Sequence, residues 1–475
     1  MDRRTGTACS RREFIAATAM SAATCLSTQG RALAVTLPTE GQTPALIGNR
    51  FLTFNTVVRV NQIEVARDRV AGTDEGSIHA PELTQLFRQS VQRGWPGGKI
   101  TWAFSWRALQ DQRPNYKAIR DLVAEYHSRY GDEVTFIPGG YFQPMYNSRQ
   151  QTRQDLHEAL QRISDIVGGG YRPRSVLAGF LDAASLKYLA EKEGIHVCQG
   201  NIWSQYSIDN GDGDGSVCYP YYPSTEHFCK PAQGRADFID CVNLDGWTCD
   251  FLAARRAGFA EGFNSRMGVG PIETIFAHGP EKGVREMLHT TAVHFDRGFD
   301  LNRFAWVTNC WELSLLGGRG SQGKRDMECL VRWLSEIRRR WPEAKLITQG
   351  EFGEAWRRQY HDNSFDYRFE ERGSGIGGSD ANLEIRWFMN RDFRLALLRD
   401  WKAGKPEMVI DFTRYDLTAK EPSVPTLGHN ARNWSLINRL NMKRSRPQDT
   451  PVPLARLAKG ELDAIARRYP ALLSK

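Results

Sequence analysis

From about residue 50 the chain alternates short apolar runs with segments whose apolar positions recur every three or four residues. Runs at 51–58 (FLTFNTVV), 99–105 (KITWAFS), 133–138 (EVTFIP), 175–181 (SVLAGFL), 195–199 (IHVCQ), 238–244 (FIDCVNL), 272–277 (IETIFA) and 304–309 (FAWVTN) are rich in β-branched and aromatic residues. They predict strands, with a shorter one at 345–348. Between them Tyr116, Ile119, Val123 and Tyr126 mark one face of a helix, as do Leu156, Leu160, Ile163 and Val167. Leu330, Leu334, Ile337 and Trp341 do the same ahead of Pro342.

Repeated strand-helix-strand units require a mostly parallel sheet. Seven or eight strands predict an α/β fold of the TIM-like (β/α)7-8 barrel type. The open doubly wound alternative lacks its glycine-rich first turn, because residues 56–61 read TVVRVN. Beyond about residue 360 the texture changes to short alternating runs at 365–371, 383–388, 393–398 and 408–412. These predict a smaller β-rich C-terminal domain over 361–475, ending in a helix at about 459–469. The barrel is assigned to 35–360, with a long loop at 200–236.

The N-terminus changes the picture in one respect. Ser10-Arg11-Arg12-Glu13-Phe14-Ile15 resembles a twin-arginine export motif, followed by an alanine-rich apolar run and the small-x-small pattern Ala32-Leu33-Ala34. Residues 1–34 are therefore expected to be a signal peptide read by the twin-arginine translocon, with the mature protein periplasmic or extracellular. No stretch predicts a permanent membrane span. Of the net charge of +8, +3 lies in that leader, and the remaining basic residues are interspersed with acidic ones, which argues against nucleic-acid binding. The later cysteines (Cys198, Cys218, Cys229, Cys241, Cys249, Cys310 and Cys329) are odd in number and contain no CxxC. Cys218 and Cys229 are placed to staple the long loop.

A barrel of this kind carries its chemistry at the C-terminal ends of its strands. Residues on the predicted strands or just past their ends include Asn55, Trp106, Arg107, Tyr141, Gln143, Asp182, Asn201, Trp203, Asp245, Trp247, His278, Trp311, Glu312 and Glu351. Carboxylates, amides and indoles in one mouth make a carbohydrate cleft: rings stack on sugar faces, and acids and amides bind hydroxyls. Asp245 and Glu312 lead as general acid and nucleophile or base, with Asp182, Glu351 and His278 in reserve. Each carboxylate reads equally as a cap on a helix start. Trp106, Asn201, Trp203, Tyr206, Tyr221, Tyr222, Trp247 and Trp311 are the expected substrate contacts. No cofactor is required. Asp209, Asp212 and Asp214 sit in a turn that begins like a calcium loop, although Tyr221 occupies the place of the bidentate Glu. The preferred reading of the loop is a turn-rich flap over the cleft; the alternatives are a looser calcium or sodium site, or a cover with its aromatics packed inward.

The segments 199–206 (QGNIWSQY), 208–233 and 242–248 (VNLDGWT) resemble a family of exported bacterial proteins of unknown function. That resemblance implies a TIM-like barrel related to the glycoside hydrolase/deacetylase superfamily plus a smaller domain, and implies no catalytic residues. The superfamily's metal-dependent deacetylases carry an Asp pair on the first strand and a His motif after the second. Here those places read Phe54-Asn55-Thr56 and Trp106-Arg107-Ala108. The expected function is a glycoside hydrolase acting on oligo- or polysaccharide. The alternatives are a non-catalytic carbohydrate-binding or surface protein, or a polysaccharide deacetylase lacking the usual metal motif.

Overall fold

The computed structural model describes residues 43–474 apart from 65–66, 68–69, 142, 180, 202–214, 247, 249, 253–269, 377–378, 405, 423–433, 435 and 437–451. Strand β1 (Arg50–Val58) is the hub. A short hairpin follows it, β2 (Asn61–Ile63) and β3 (Ala71–Asp74). Next come β4 (Thr101–Phe104), β5 (Glu133–Phe136), β6 (Val176–Leu177), β7 (Val197–Asn201), β8 (Val242–Asp245), β9 (Ala305–Cys310) and β10 (Lys345–Leu346).

Along one edge β1 pairs in parallel with β9, from Arg50↔Ala305 to Asn55↔Cys310. Along the other it meets β10 at Phe51 and Leu52, then β4 from Asn55↔Thr101 to Val58↔Phe104. β4 pairs with β5, and β6, β7 and β8 form a second parallel run. The two runs join where Thr135 Oγ1 donates to Ser175 O and where Ser175 N donates to Glu133 Oε1 at 2.8 Å. They join again where Thr248 N donates to Thr308 O at 2.7 Å. The parallel strands thus curl into a barrel, as the alternating pattern predicts.

Both faces of β1 are buried, as parallel strands under helices require. Leu52 and Phe54 face outward, Phe54 lying edge-on to Phe87 of α1 (Pro81–Gly94). Thr53 and Asn55 face inward, bonding to Thr308 Oγ1 at 2.9 Å and to Gln199 Oε1 at 3.0 Å. The expected helical stripes pack on the barrel from α2 (Pro114–Tyr130), α3 (Arg149–Val167) and, later, the helix Ser321–Arg340.

One predicted strand is a helix. Residues 272–277 open α4 (Pro271–Val293), with Pro271 in its first turn. Ile272 and Ile275 turn inward while Phe276 is 63 % exposed, which is helical spacing. α5 (Ser321–Arg340) and α6 (Gln349–Gln359) complete the shell.

The C-terminal region is an antiparallel meander of β11 (Asp366–Arg372), β12 (Leu383–Asn390), β13 (Phe393–Asp400), β14 (Met408–Arg414) and β15 (Val452–Pro453). Phe388, Phe393, Leu395 and Phe412 of one face are covered by α7 (Lys459–Arg468). The other face, with Tyr367, Phe369 and Trp387, packs on the barrel side through Tyr219, Phe251 and Phe304. Among the described residues no helix is long and apolar enough to cross a membrane.

Candidate functional site

The C-terminal end of the barrel gathers side chains from several strands, although fewer than the sequence predicts. Glu312 follows β9, and its Oε2 accepts from Arg59 Nη2 at 2.9 Å. Arg59 follows β1 and also grips Glu75 through Nε at 2.7 Å and Nη2 at 2.8 Å. Glu75 lies just beyond the hairpin, four residues before His79, whose Nε2 is 3.6 Å from it. Burial alone would raise the Glu75 carboxyl, but hydrogen bonds from His79 and Arg59 outweigh it and bring it to about 2. Arg59 therefore sits between two carboxylates, one locked and one more open to solvent.

Across the mouth, Asp245 ends β8 and Asn201 ends β7, both buried. Asn201 Nδ2 donates to Asp245 Oδ2 at 3.4 Å and to Ser216 Oγ. Asp245 is thus the last residue of β8, and Glu312 lies two residues past the end of β9.

Other predicted residues are spent elsewhere. Asp182 caps the short helix Ala183–Tyr188, accepting from Ser185 N at 3.1 Å, Ser185 Oγ at 2.7 Å and Arg149 Nε at 2.9 Å. Glu351 closes a capping box with Thr348 at the start of α6 and pairs with Lys99, which precedes β4. It is therefore at the opposite end of the barrel, because β10 reaches only the first residues of β1. His278 lies inside α4 and follows no strand; burial, then Lys282, lowers its pKa.

The predicted stacking platforms that lie among the described residues are core. Tyr221 is fully buried, donates to Phe228 O at 2.7 Å and pairs its backbone with Asn243. Tyr222 packs on Phe238 and Trp356 and donates to Tyr360 O at 2.8 Å. Neighbouring Tyr219 donates to Trp306 O at 2.8 Å, so this stretch of the long loop is woven into the wall and does not rim the mouth. Trp311 is buried against Trp333, and Trp106 is covered by the Arg67 guanidinium at 3.9 Å. The staple between Cys218 and Cys229 is not formed; the Cys218 thiol faces Met389 Sδ at 3.6 Å. Trp203, Tyr206, Trp247 and the three aspartates Asp209, Asp212 and Asp214 lie outside the described residues. Among the described residues no group of three or more His, Cys, Asp or Glu side chains is arranged to hold a metal ion.

The sequence gives no sign that the C-terminal region reaches the mouth. Glu421 Oε1 accepts from Ala183 N at 2.8 Å and Phe228 N at 2.9 Å, and its Oε2 accepts from Arg149 at 3.1 Å. Burial and the neighbouring Asp182 push its carboxyl up. Arg394 of β13 pairs with Asp411 and donates to Ser216 O at 3.0 Å, behind the residue that Asn201 touches. Inside the barrel and past its strands, several buried polar atoms have no partner among the described residues: Asn55 Oδ1, Arg107 Nε, both amide atoms of Gln143, and Asn201 Oδ1. They belong to or follow β1, β4, β5 and β7.

Residues 44–389 match the family described as Domain of Unknown Function DUF3863, and 394–472 match DUF3864. A crystal structure from Parabacteroides distasonis, provisionally described as a glycoside hydrolase/deacetylase, is 49% identical with a TM-score of 0.84. The alignment covers 90% of this chain and 99% of that one. The α-amylase AmyC from Thermotoga maritima aligns over 64% of this chain and 74% of its own at 10% identity and a TM-score of 0.39, too distant to bear on function. No curated protein matches. The chain belongs to the DUF3863 family.

Proposed function

We propose that the chain is a carbohydrate-active enzyme that hydrolyses glycosidic bonds at the barrel mouth. The supporting observation is the set of partnerless buried polar atoms contributed by four separate strands. A buried polar group left without a partner costs about 1–3 kcal/mol, and these residues are presented by strands of one barrel or the turns that follow them. Polyhydroxylated ligands supply both donors and acceptors to match. The provisional description of the Parabacteroides distasonis structure agrees with this reading.

Arg59, 2.9 Å from Glu312, favours the charged form of that carboxylate, which suits it to act as nucleophile or base. Asp245 then serves as the acid, giving its proton to the leaving glycosidic oxygen. With Glu312 as nucleophile, water then adds OH to the sugar carbon, breaks the bond to Glu312 and returns its other proton to Asp245; with Glu312 as base, Glu312 takes that proton as the water attacks directly. Export through the twin-arginine route, with action on glycans outside the cytoplasm, is part of the same proposal and rests on residues 1–34.

The test is a screen of purified protein against oligo- and polysaccharides, comparing wild type with Asp245→Asn and Glu312→Gln. Wild type should release reducing ends, and each variant should lose about 100-fold or more. Equal activity in all three proteins removes these assignments.

A further inference from the structure

Helix α4 does not run straight. Gly279 takes the left-handed region (φ 77°) and Pro280 follows it. A Cβ on Gly283 would lie 2.7 Å from Ile275 Cα, whereas eight residues of continuous helix would separate the two by about 12 Å. The first two turns of α4 therefore fold back on the rest. Ile275 is turned inward by this arrangement, and Phe276 is left 63 % exposed.

The segment that follows Glu312 faces Phe276. The short helix Leu313–Gly318 starts directly after Glu312, and Arg319 and Gln322 flank the turn into α5. Seven residues at helical rise put Arg319 about 10 Å along the chain from Glu312. Ile275, Phe276, Gly279, Pro280, Arg319 and Gln322 line a pocket of about 580 Å³ that opens to solvent. Sites for small ligands run to about 300–1,000 Å³.

The polar wall of this pocket is held from beneath by one acid. Asp326 is fully buried; its Oδ2 pairs with Arg319 Nε at 3.3 Å, and its Oδ1 accepts from Gln322 Nε2 at 2.8 Å. Gln322 Oε1 in turn accepts from Arg325. The guanidinium of Arg319 sits 4.6 Å from the centre of the Phe276 ring, so it covers one face and leaves the other open. Among the described residues neither Nη of Arg319 meets an acceptor.

We infer that this pocket is an outer subsite for a neutral sugar ring, gripping a glycan chain some way from the bond that reaches Glu312. The inference rests on the carbohydrate reading above and narrows the substrate to a chain of neutral residues. The apolar face of a pyranose stacks on the open face of Phe276. Its hydroxyls accept from the Arg319 Nη groups and from the second N–H of the Gln322 amide. Asp326 already balances the Arg319 charge, so the pocket gives an acidic sugar no advantage over a neutral one.

Affinity electrophoresis of the full chain tests this, using gels that contain neutral xylan, mannan, β-glucan or glycogen, or acidic polygalacturonate. A neutral gel should retard the wild type, and added salt should change that little, because no net charge is matched. Phe276→Ala should weaken the retention about tenfold, by the loss of one covered ring face, and Phe276→Trp should keep it. The side chain is exposed, so both variants should melt with the wild type. Phe276→Ala should also cleave short oligosaccharides as fast as the wild type while losing rate on dilute polymer. Neutral-gel retention that ignores Phe276→Ala, or retention by polygalacturonate alone, overturns the subsite and leaves the carbohydrate reading standing. Retention by none of the gels overturns the subsite as well, and the hydrolysis screen then decides the carbohydrate reading separately.

Discussion

Replacing Glu75 by Gln probes the mouth's electrostatic frame without changing its shape. The carboxylate is buried and receives two hydrogen bonds from Arg59, with His79 beside it. Its fall from 4.5 to about 2 corresponds to about 3 kcal/mol of stability at neutral pH, at about 1.4 kcal/mol per unit. Breaking a buried ion pair by removing one partner costs about 3–5 kcal/mol, so two independent routes give the same size. A depressed carboxyl contributes stability that is present above its unfolded value and is lost as pH falls toward its folded value. The gap between wild type and Glu75→Gln should therefore be about 3 kcal/mol at pH 7 and shrink by about 2 kcal/mol between about pH 4.5 and 3. Urea denaturation followed by tryptophan fluorescence at several pH values measures it. A gap that stays constant down to pH 3 would show that the Arg59 pair does not hold Glu75 ionised. The reasoning about Glu312, which shares that guanidinium, would fall with it.

Two further outcomes follow from other parts of the molecule. Burial, then Asp250, pushes buried Glu286 up to about 9, so the stability it contributes is present below about pH 4.5 and lost as pH rises toward 9. Glu286→Gln should flatten the fall in melting temperature between pH 5 and 8.5, and parallel wild-type and variant curves would contradict this. Gly323 in α5 is in close contact with the backbone of Leu316: an added Cβ would meet Leu316 O at 1.8 Å. Gly323→Ala should lower the melting temperature even though alanine is the better helix former by about 1 kcal/mol, and a rise would refute the packing argument.

What was legible in the sequence divides along a physical line. The strands at 51–58, 133–138 and 304–309 were readable because both faces of a parallel strand are buried and the whole run is apolar or β-branched. The run at 272–277 misled because six residues are too few to tell a period of two from one of 3.6, and Gly270-Pro271 was the sign of a helix start. The tyrosines of the long loop were misplaced for a different reason. Tyr221 and Tyr222 are buried through contacts with Asn243, Phe238 and Trp356, which the topology alone brings near.

The acids show the same division, and it sorts them by role. Asp182 takes two of its bonds from Ser185, one helical turn away, and the Glu351 carboxylate accepts one from Thr348 N, in a T-x-x-E pattern that could have been read as a capping box. Both also meet a distant cation, Arg149 for Asp182 and Lys99 for Glu351, but each keeps a local capping role that accounts for its place. Glu312 is bound by Arg59 from a strand far away in the chain, and Arg59 in turn by Glu75 from the hairpin. No local pattern predicts that chain of contacts, and no helix start needs it. A carboxylate held by a distant cation that is itself braced by a second acid does nothing for its own segment. Its cost in ordering and desolvation is offset only if the charge is wanted at that place, which for Glu312 is the mouth of the barrel.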